Sequence, residues 1–225
     1  MARTPQVKVC CIASTAEARL AQAQGAAAIG LVSAMPSGPG VIDDARIAEI
    51  AAAVRGRGLR SFLLTARTQA RAIAAQHRAA GTTTLQLVDA LPLAELRALR
   101  GLCPGVELVQ VIHVTGPSAV EAAQAVAPWV DAILLDSGNP ALAVKQLGGT
   151  GRTHDWALAR RIREAVAPRP LWLAGGLRAH NVAAAVAAVQ PHGLDLCTGV
   201  RQGGRLDEAL LAGFMAAVRS AAAPA

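Results

Sequence analysis

The sequence has no tyrosine, two phenylalanines and three tryptophans among 225 residues. Proteins that hold single-stranded nucleic acid combine a basic groove with aromatic platforms, so this scarcity argues against that class. No apolar run approaches the roughly 20 residues that a membrane-spanning helix requires. Met1 to Gln6 carries no long apolar stretch ahead of Lys8, which argues against a secretion signal. Cysteine is sparse: Cys10, Cys11, Cys103 and Cys197 match neither a zinc-ligand spacing nor a redox CxxC. Adjacent residues on a strand point to opposite faces, so Cys10 and Cys11 should not pair with each other. All four are expected to be thiols in a reducing compartment, and the protein to be cytoplasmic. Acidic residues are outnumbered 15 to 22 by lysine and arginine, leaving a formal charge of +7 with the arginines scattered. Solubility is the first reading of that charge, attraction of an anionic small molecule the second, and nucleic acid a distant third.

What the sequence does contain is alternation. Apolar residues make up 53%, much of it alanine, as suits helices packed closely on a sheet. Strands are expected at 7–12, 27–32, 60–65, 83–88, 107–114, 132–137, 170–174 and 194–198. Helices are expected between them. Ser14 and Glu17 form a capping box for the first, which closes near Gly25. Asp43 caps the second, whose buried stripe is Ile47, Ile50, Ala51 and Val54. The third spans 68–79, Pro92 lies in the first turn of the fourth, and Pro117 opens the fifth. The sixth begins near Asp155 and the seventh spans about 180–189. The last, 207–219, is expected to bury Leu210, Leu211, Phe214 and Val218. No linker or compositional break divides the chain. The expectation is one domain over 1–225: an α/β single (β/α)8 TIM barrel, with a parallel eight-stranded barrel and outer helices. The GxGxxG fingerprint of dinucleotide folds is absent after the first strand.

In such barrels the site lies at the C-terminal strand ends, and phosphate commonly sits after strands seven and eight. Gly175-Gly176 and Thr198-Gly199 fall there, with Gly148-Gly149-Thr150-Gly151 as a third wall reaching over from strand six. One glycine loop serves a tight turn as readily as an anion; three at successive strand ends favour phosphate. Asp136 ends an apolar strand beside this pocket, which favours acid–base work over a structural ion pair. Cys10 lies toward the end of strand one, next to strand eight in a closed barrel. From the residues alone, inert packing and a reactive thiolate stand level for it. Asp195 either faces the lumen and binds substrate hydroxyls or pairs with an arginine. His113 is open between lumen and core, and His154 between ligand contact and helix capping. His77 and His180 are expected on exposed helix faces, and Trp129 and Trp156 in packing. The loop from Met35 to Gly40 is long enough to cover the barrel mouth.

Four segments together resemble the phosphoribosylanthranilate isomerase family over nearly the whole chain. They are Val7-Lys8-Val9-Cys10; Asp136 with Gly148-Gly149-Thr150-Gly151-Arg152-Thr153-His154-Asp155-Trp156; Leu173-Ala174-Gly175-Gly176-Leu177; and Leu194-Asp195-Leu196-Cys197-Thr198-Gly199-Val200. The resemblance implies an Amadori rearrangement of N-(5-phosphoribosyl)anthranilate in tryptophan biosynthesis. It implies no cofactor and no metal. Asp136 would be the general acid, Cys10 the general base, and the glycine loops the phosphate site. The partner would be a small phosphorylated substrate, with no nucleic acid and no membrane, in a monomer or homodimer. The chain departs from the family pattern at four places. Cys11 stands where glycine usually follows the catalytic cysteine. Ser37-Gly38-Pro39 stands for Ser-Pro-Arg, whose arginine helps hold the anthranilate end. Gln86-Leu87-Val88-Asp89 stands for Gln-Leu-His-Gly, and Arg201 for a glutamate. Arg67 or Arg201 is a candidate for the missing cation. Two alternatives remain: a divergent barrel isomerase acting on another phosphorylated aminosugar, and a non-catalytic phosphoribosyl-ligand binding protein.

Overall fold

Eight short strands, each with a helix or loop returning to its base, pair in parallel and in chain order until the eighth meets the first. A computed structural model of the chain describes residues 4–138 and 155–222. The strands are β1 (Gln6–Val9), β2 (Ala28–Val32), β3 (Arg60–Thr65), β4 (Thr84–Leu87), β5 (Glu107–His113), β6 (Ala132–Asp136), β7 (Leu171–Leu173) and β8 (Gly193–Leu196). They form a closed barrel in the order β1 to β8. Closure rests on the β1–β8 register, in which Lys8 stands opposite Asp195 and Val9 opposite Leu196. A two-stranded ribbon, β9 (Arg201–Gln202) and β10 (Arg205–Leu206), follows β8.

The outer helices are α1 (Thr15–Ala23), α2 (Asp44–Val54), α3 (Ala70–Ala80), α4 (Leu93–Leu102), α5 (Ala119–Val126), α6 (Trp156–Ala165), α7 (Val182–Val189) and α8 (Glu208–Ala222). None of these helices is long and apolar enough to cross a membrane. Their starts follow local chemistry. Ser14 Oγ accepts from the Glu17 amide at 3.1 Å, and Glu17 reaches back to the Ala13 amide at 3.0 Å, one residue before the cap. Asp43 and Asp155 cap α2 and α6 through their carboxylates. The stripe of Ile47, Ile50, Ala51 and Val54 is buried as its spacing requires. Two expectations fail. Leu210 is exposed, because α8 turns Leu211, Phe214 and Val218 to the barrel instead. His77 is buried, with Nδ1 at 3.1 Å from Thr82 Oγ1, where burial and the nearby Arg78 hold its imidazole below the ordinary value. His180 is exposed as expected, although it lies in the turn before α7.

Strand residues alternate between the helices and the lumen, so the barrel has two apolar clusters. The lumen is filled in layers. At its base, Phe62 and Trp172 meet edge to face with centroids 5.8 Å apart, and the Arg60 guanidinium lies 5.5 and 5.3 Å from their ring centroids. A Cβ at Gly193 would run into the Trp172 ring, so only glycine fits beside it. Above this layer Lys8, with no exposed surface, binds Asp195 at 2.7 Å. The top layer opens to the C-terminal strand ends.

Candidate active site

A cleft of about 650 Å³ occupies that open end. Of the residues expected to act, Cys10, Asp136, Gly175, Gly176, Asp195, Thr198 and Gly199 all line it. Gly148, Gly149, Thr150, Gly151 and His154 lie outside the described residues.

Cys10 follows directly on β1. Its amide donates to Leu196 O at 2.8 Å, which fastens it to β8. The thiol lies over β2 at Gly30: a Cβ there would stand 2.8 Å from Cys10 Sγ and 3.2 Å from Lys8 Cε. The barrel therefore opens space for the thiol by having glycine as its neighbour. Across the lumen Asp136, half-buried, ends β6 and accepts from the Ser137 amide at 2.7 Å. Thiol and carboxylate thus share one cleft although they are far apart in the chain.

The glycines after β7 and β8 are pressed together. Gly175 and Gly176 have φ of 90° and 62°, a region that L side chains rarely adopt. Gly199 lies so close to Leu177 O that any Cβ would collide with the carbonyl. Asn181 ties this wall down by donating to Gly176 O at 3.0 Å and accepting from the Arg178 amide at 2.8 Å. Asp195 directs Oδ2 to Lys8, while Oδ1 is buried without a hydrogen-bond partner among the described residues. Gln86 Oε1 is likewise buried and unpartnered, and Gln86 lines the cleft. Two acceptors in this state at one cleft suit hydroxyl donors from a ligand. Lys8 and Gln86 stand in segments the family pattern covers but were given no role by sequence reasoning. Lys8 reads as an ordinary charge near the N-terminus, and only strand periodicity aligned with Cys10 could have marked it as lumenal.

Charge around the thiols is organised by two ion pairs, Lys8 with Asp195 and Arg201 with Glu17. Burial works to depress the Lys8 amine, but Asp195 and then Cys10 outweigh it, and Lys8 stays above its ordinary value. Arg201 donates to the Cys10 carbonyl at 3.1 Å, to the Cys11 carbonyl, and to both oxygens of Glu17 at 3.2 and 3.3 Å. That guanidinium is held behind the cleft wall and does not line it, so it does not replace a loop arginine. Arg67 is exposed beyond β3 and does not line the cleft either. The opposite wall is formed by Val32, Met35, Leu64 and the Ser37-Gly38-Pro39 stretch, so the loop expected over the mouth does border it. His113 continues the lumenal row of Val109 and Val111, with Nε2 at 3.1 Å from Val88 O, and is not part of the cleft lining. Trp129 and Trp156 pack against the core as expected.

Cys11 adopts φ 62°, where a residue with a side chain is uncommon. This accounts for the glycine that the family pattern has at this position. Cys11 Sγ lies 2.7 Å from Cys197 Sγ. Hydrogen bonds to Cys10 and Cys197, followed by burial, push the Cys11 thiol up. The Cys197 thiol is pulled down, first by its hydrogen bond with Cys11 and then, against burial, by the Arg201 guanidinium.

The closed parallel barrel and a cleft at its C-terminal strand ends define a (β/α)8-barrel enzyme. Residues 69–217 match the family model for N-(5'-phosphoribosyl)anthranilate (PRA) isomerase. The chain is 32% identical over 196 residues to N-(5'-phosphoribosyl)anthranilate isomerase 2 of Methanosarcina mazei, covering 87% of this chain and 85% of that one. It is 35% identical over 218 residues to the N-(5'-phosphoribosyl)anthranilate isomerase of Haloferax volcanii, covering 96% and 94%. Among solved structures, phosphoribosyl anthranilate isomerase from Thermus thermophilus superposes with a TM-score of 0.80 at 25% identity, covering 96% of this chain and 98% of that one. The chain belongs to the N-(5'-phosphoribosyl)anthranilate isomerase family.

Proposed function

We propose that the protein catalyses the Amadori rearrangement of N-(5-phosphoribosyl)anthranilate to 1-(2-carboxyphenylamino)-1-deoxyribulose 5-phosphate, a step of tryptophan biosynthesis. The observation that carries the reading is one cleft lined by Cys10, Asp136 and the glycine turns after β7 and β8. Backbone N–H groups of Gly175, Gly176, Thr198 and Gly199 hold the 5-phosphate. Asp195 Oδ1 accepts from a ribose hydroxyl. The Asp136 carboxyl protonates the ring oxygen, and the bond from C1 to that oxygen breaks as the amine nitrogen supplies electrons to C1. Cys10, as thiolate, then removes the C2 proton. The C2–H electrons form the C1=C2 bond as the C1=N pair returns to nitrogen, and the resulting enolamine becomes the ketone as C1 gains a proton and the C2 hydroxyl loses one. Hydrogen moves only within the substrate framework and through these two groups, so no external oxidant is consumed.

A second reading is favoured by the opposite wall. Ser37-Gly38-Pro39 carries no cation there, and Arg201 is engaged by Glu17. A phosphorylated aminosugar with an uncharged aglycone fits that wall through the same enolisation. We place the protein in the cytoplasm, acting on a small phosphorylated substrate as a monomer or homodimer. Complementation of an isomerase-deficient tryptophan auxotroph tests the first reading: growth is expected. Absence of growth from folded protein that still binds a ribose 5-phosphate analogue would favour the second.

A further inference from the structure

Where β8 closes on β1, two cysteines face one another at the cleft wall. Cys11 and Cys197 both line the cleft, both are free thiols, and their sulfurs are 2.7 Å apart. We propose that Cys11 and Cys197 form a reversible disulfide when the protein meets a hydroperoxide, and that this cross-link turns the enzyme down.

The backbone permits it. β1 and β8 are hydrogen-bonded neighbours with Val9 opposite Leu196, and the Cys10 amide extends that ladder to Leu196 O. That register sets Cys10 level with Cys197, and Cys11, one residue on with a left-handed backbone, brings its own sulfur to 2.7 Å from Cys197 Sγ. Closing the sulfurs to a bond of about 2.05 Å requires a displacement of less than about 1 Å. Cys11 is also held against its own preference. Its φ of 62° suits glycine, and its side chain packs so tightly on Gly40 that a Cβ there would collide with it. A side chain kept at such a position is strained and points to a use for it.

The chemistry divides between the two thiols. Cys197 is half-buried beside the Arg201 guanidinium, which favours its thiolate. That sulfur attacks the terminal oxygen of the hydroperoxide. The O–O bond breaks, Cys197 becomes a sulfenic acid, and an alkoxide or hydroxide leaves. The Cys11 thiol then attacks the sulfenic sulfur; the S–S bond forms, the S–O bond breaks, and water leaves with the Cys11 proton. Two electrons pass from the thiol pair to the peroxide, and a dithiol returns them. In the reduced protein Cys11 Sγ donates to Pro39 O at 3.5 Å. The disulfide removes that S–H from the Pro39 carbonyl at the cleft wall and pins β1 to the turn that begins at Thr198.

The test treats the full chain with hydrogen peroxide, alkylates free thiols and digests with trypsin. Cleavage after Lys8, Arg19, Arg178 and Arg201 separates residues 9–19 from 179–201. The two peptides are expected to be cross-linked in the wild type and in Cys10→Ser, and separate in Cys11→Gly and in Cys197→Ser. Glycine is at ease at the Cys11 backbone, so Cys11→Gly should fold, and Cys197→Ser stands as an independent control. The cross-linked wild type should lose about tenfold in kcat/KM and regain it with dithiothreitol. Absence of the cross-link, its persistence in Cys11→Gly, or full turnover by cross-linked protein would overturn the proposal. The cross-link is read by mass, so a failure of the assigned reaction leaves that arm of the test intact.

Discussion

Lys8 Nζ and Asp195 Oδ2 meet at 2.7 Å inside the barrel, from residues 187 positions apart, with Lys8 fully enclosed. The pair closes the β1–β8 seam and sits one layer beneath Cys10. Removing one partner leaves the other as an uncompensated buried charge, which costs about 3–5 kcal/mol. Asp195→Asn should therefore lower stability by that amount, and Lys8→Met should do the same. The double variant Lys8→Met/Asp195→Leu should recover most of the loss. Denaturant midpoints of the three proteins check this, and additive losses in the double variant would refute it.

The same pair predicts an alkaline limb to stability. Lys8 is raised above its ordinary 10.5 in the folded protein, so its contribution is fully present below that value. It is lost as pH rises through the higher folded value. Unfolding free energy of the wild type should fall above pH 10.5, relative to Lys8→Met. Parallel curves for the two proteins would contradict the assignment.

Gly30 sets the position of the thiol. A methyl group there would stand 2.8 Å from Cys10 Sγ, closer than atoms tolerate, so the sulfur must shift. Displacing a reacting group by about 1 Å costs on the order of a hundredfold in rate. Gly30→Ala should lower kcat about that much while circular dichroism shows the barrel intact.

Much of this molecule was legible in its sequence because a barrel is punctuated locally. The limits of β3 and the Asp43 cap follow from residue order alone, since both depend on near neighbours. Cys10, Asp136, Asp195 and the described glycines were expected at one site, and the eightfold alternation brings them there. What escaped depends on distant partners or on backbone angles. His77 reads as an exposed helix residue until Thr82 is seen beside it. Arg201 was a candidate for the aglycone until Glu17 and two carbonyls were found to hold it. Cys11 was visible as a departure from a glycine pattern, but its left-handed backbone and its contact with Cys197 required coordinates.

The most direct measurement is turnover of N-(5-phosphoribosyl)anthranilate by the purified wild type, Cys10→Ala and Asp136→Ala, with product resolved by chromatography. The wild type should convert it, and each variant should be slower by about 10²–10⁴ with its fold unchanged. An Asp136→Ala or Cys10→Ala protein that turns over at the wild-type rate would contradict the assignment of acid and base.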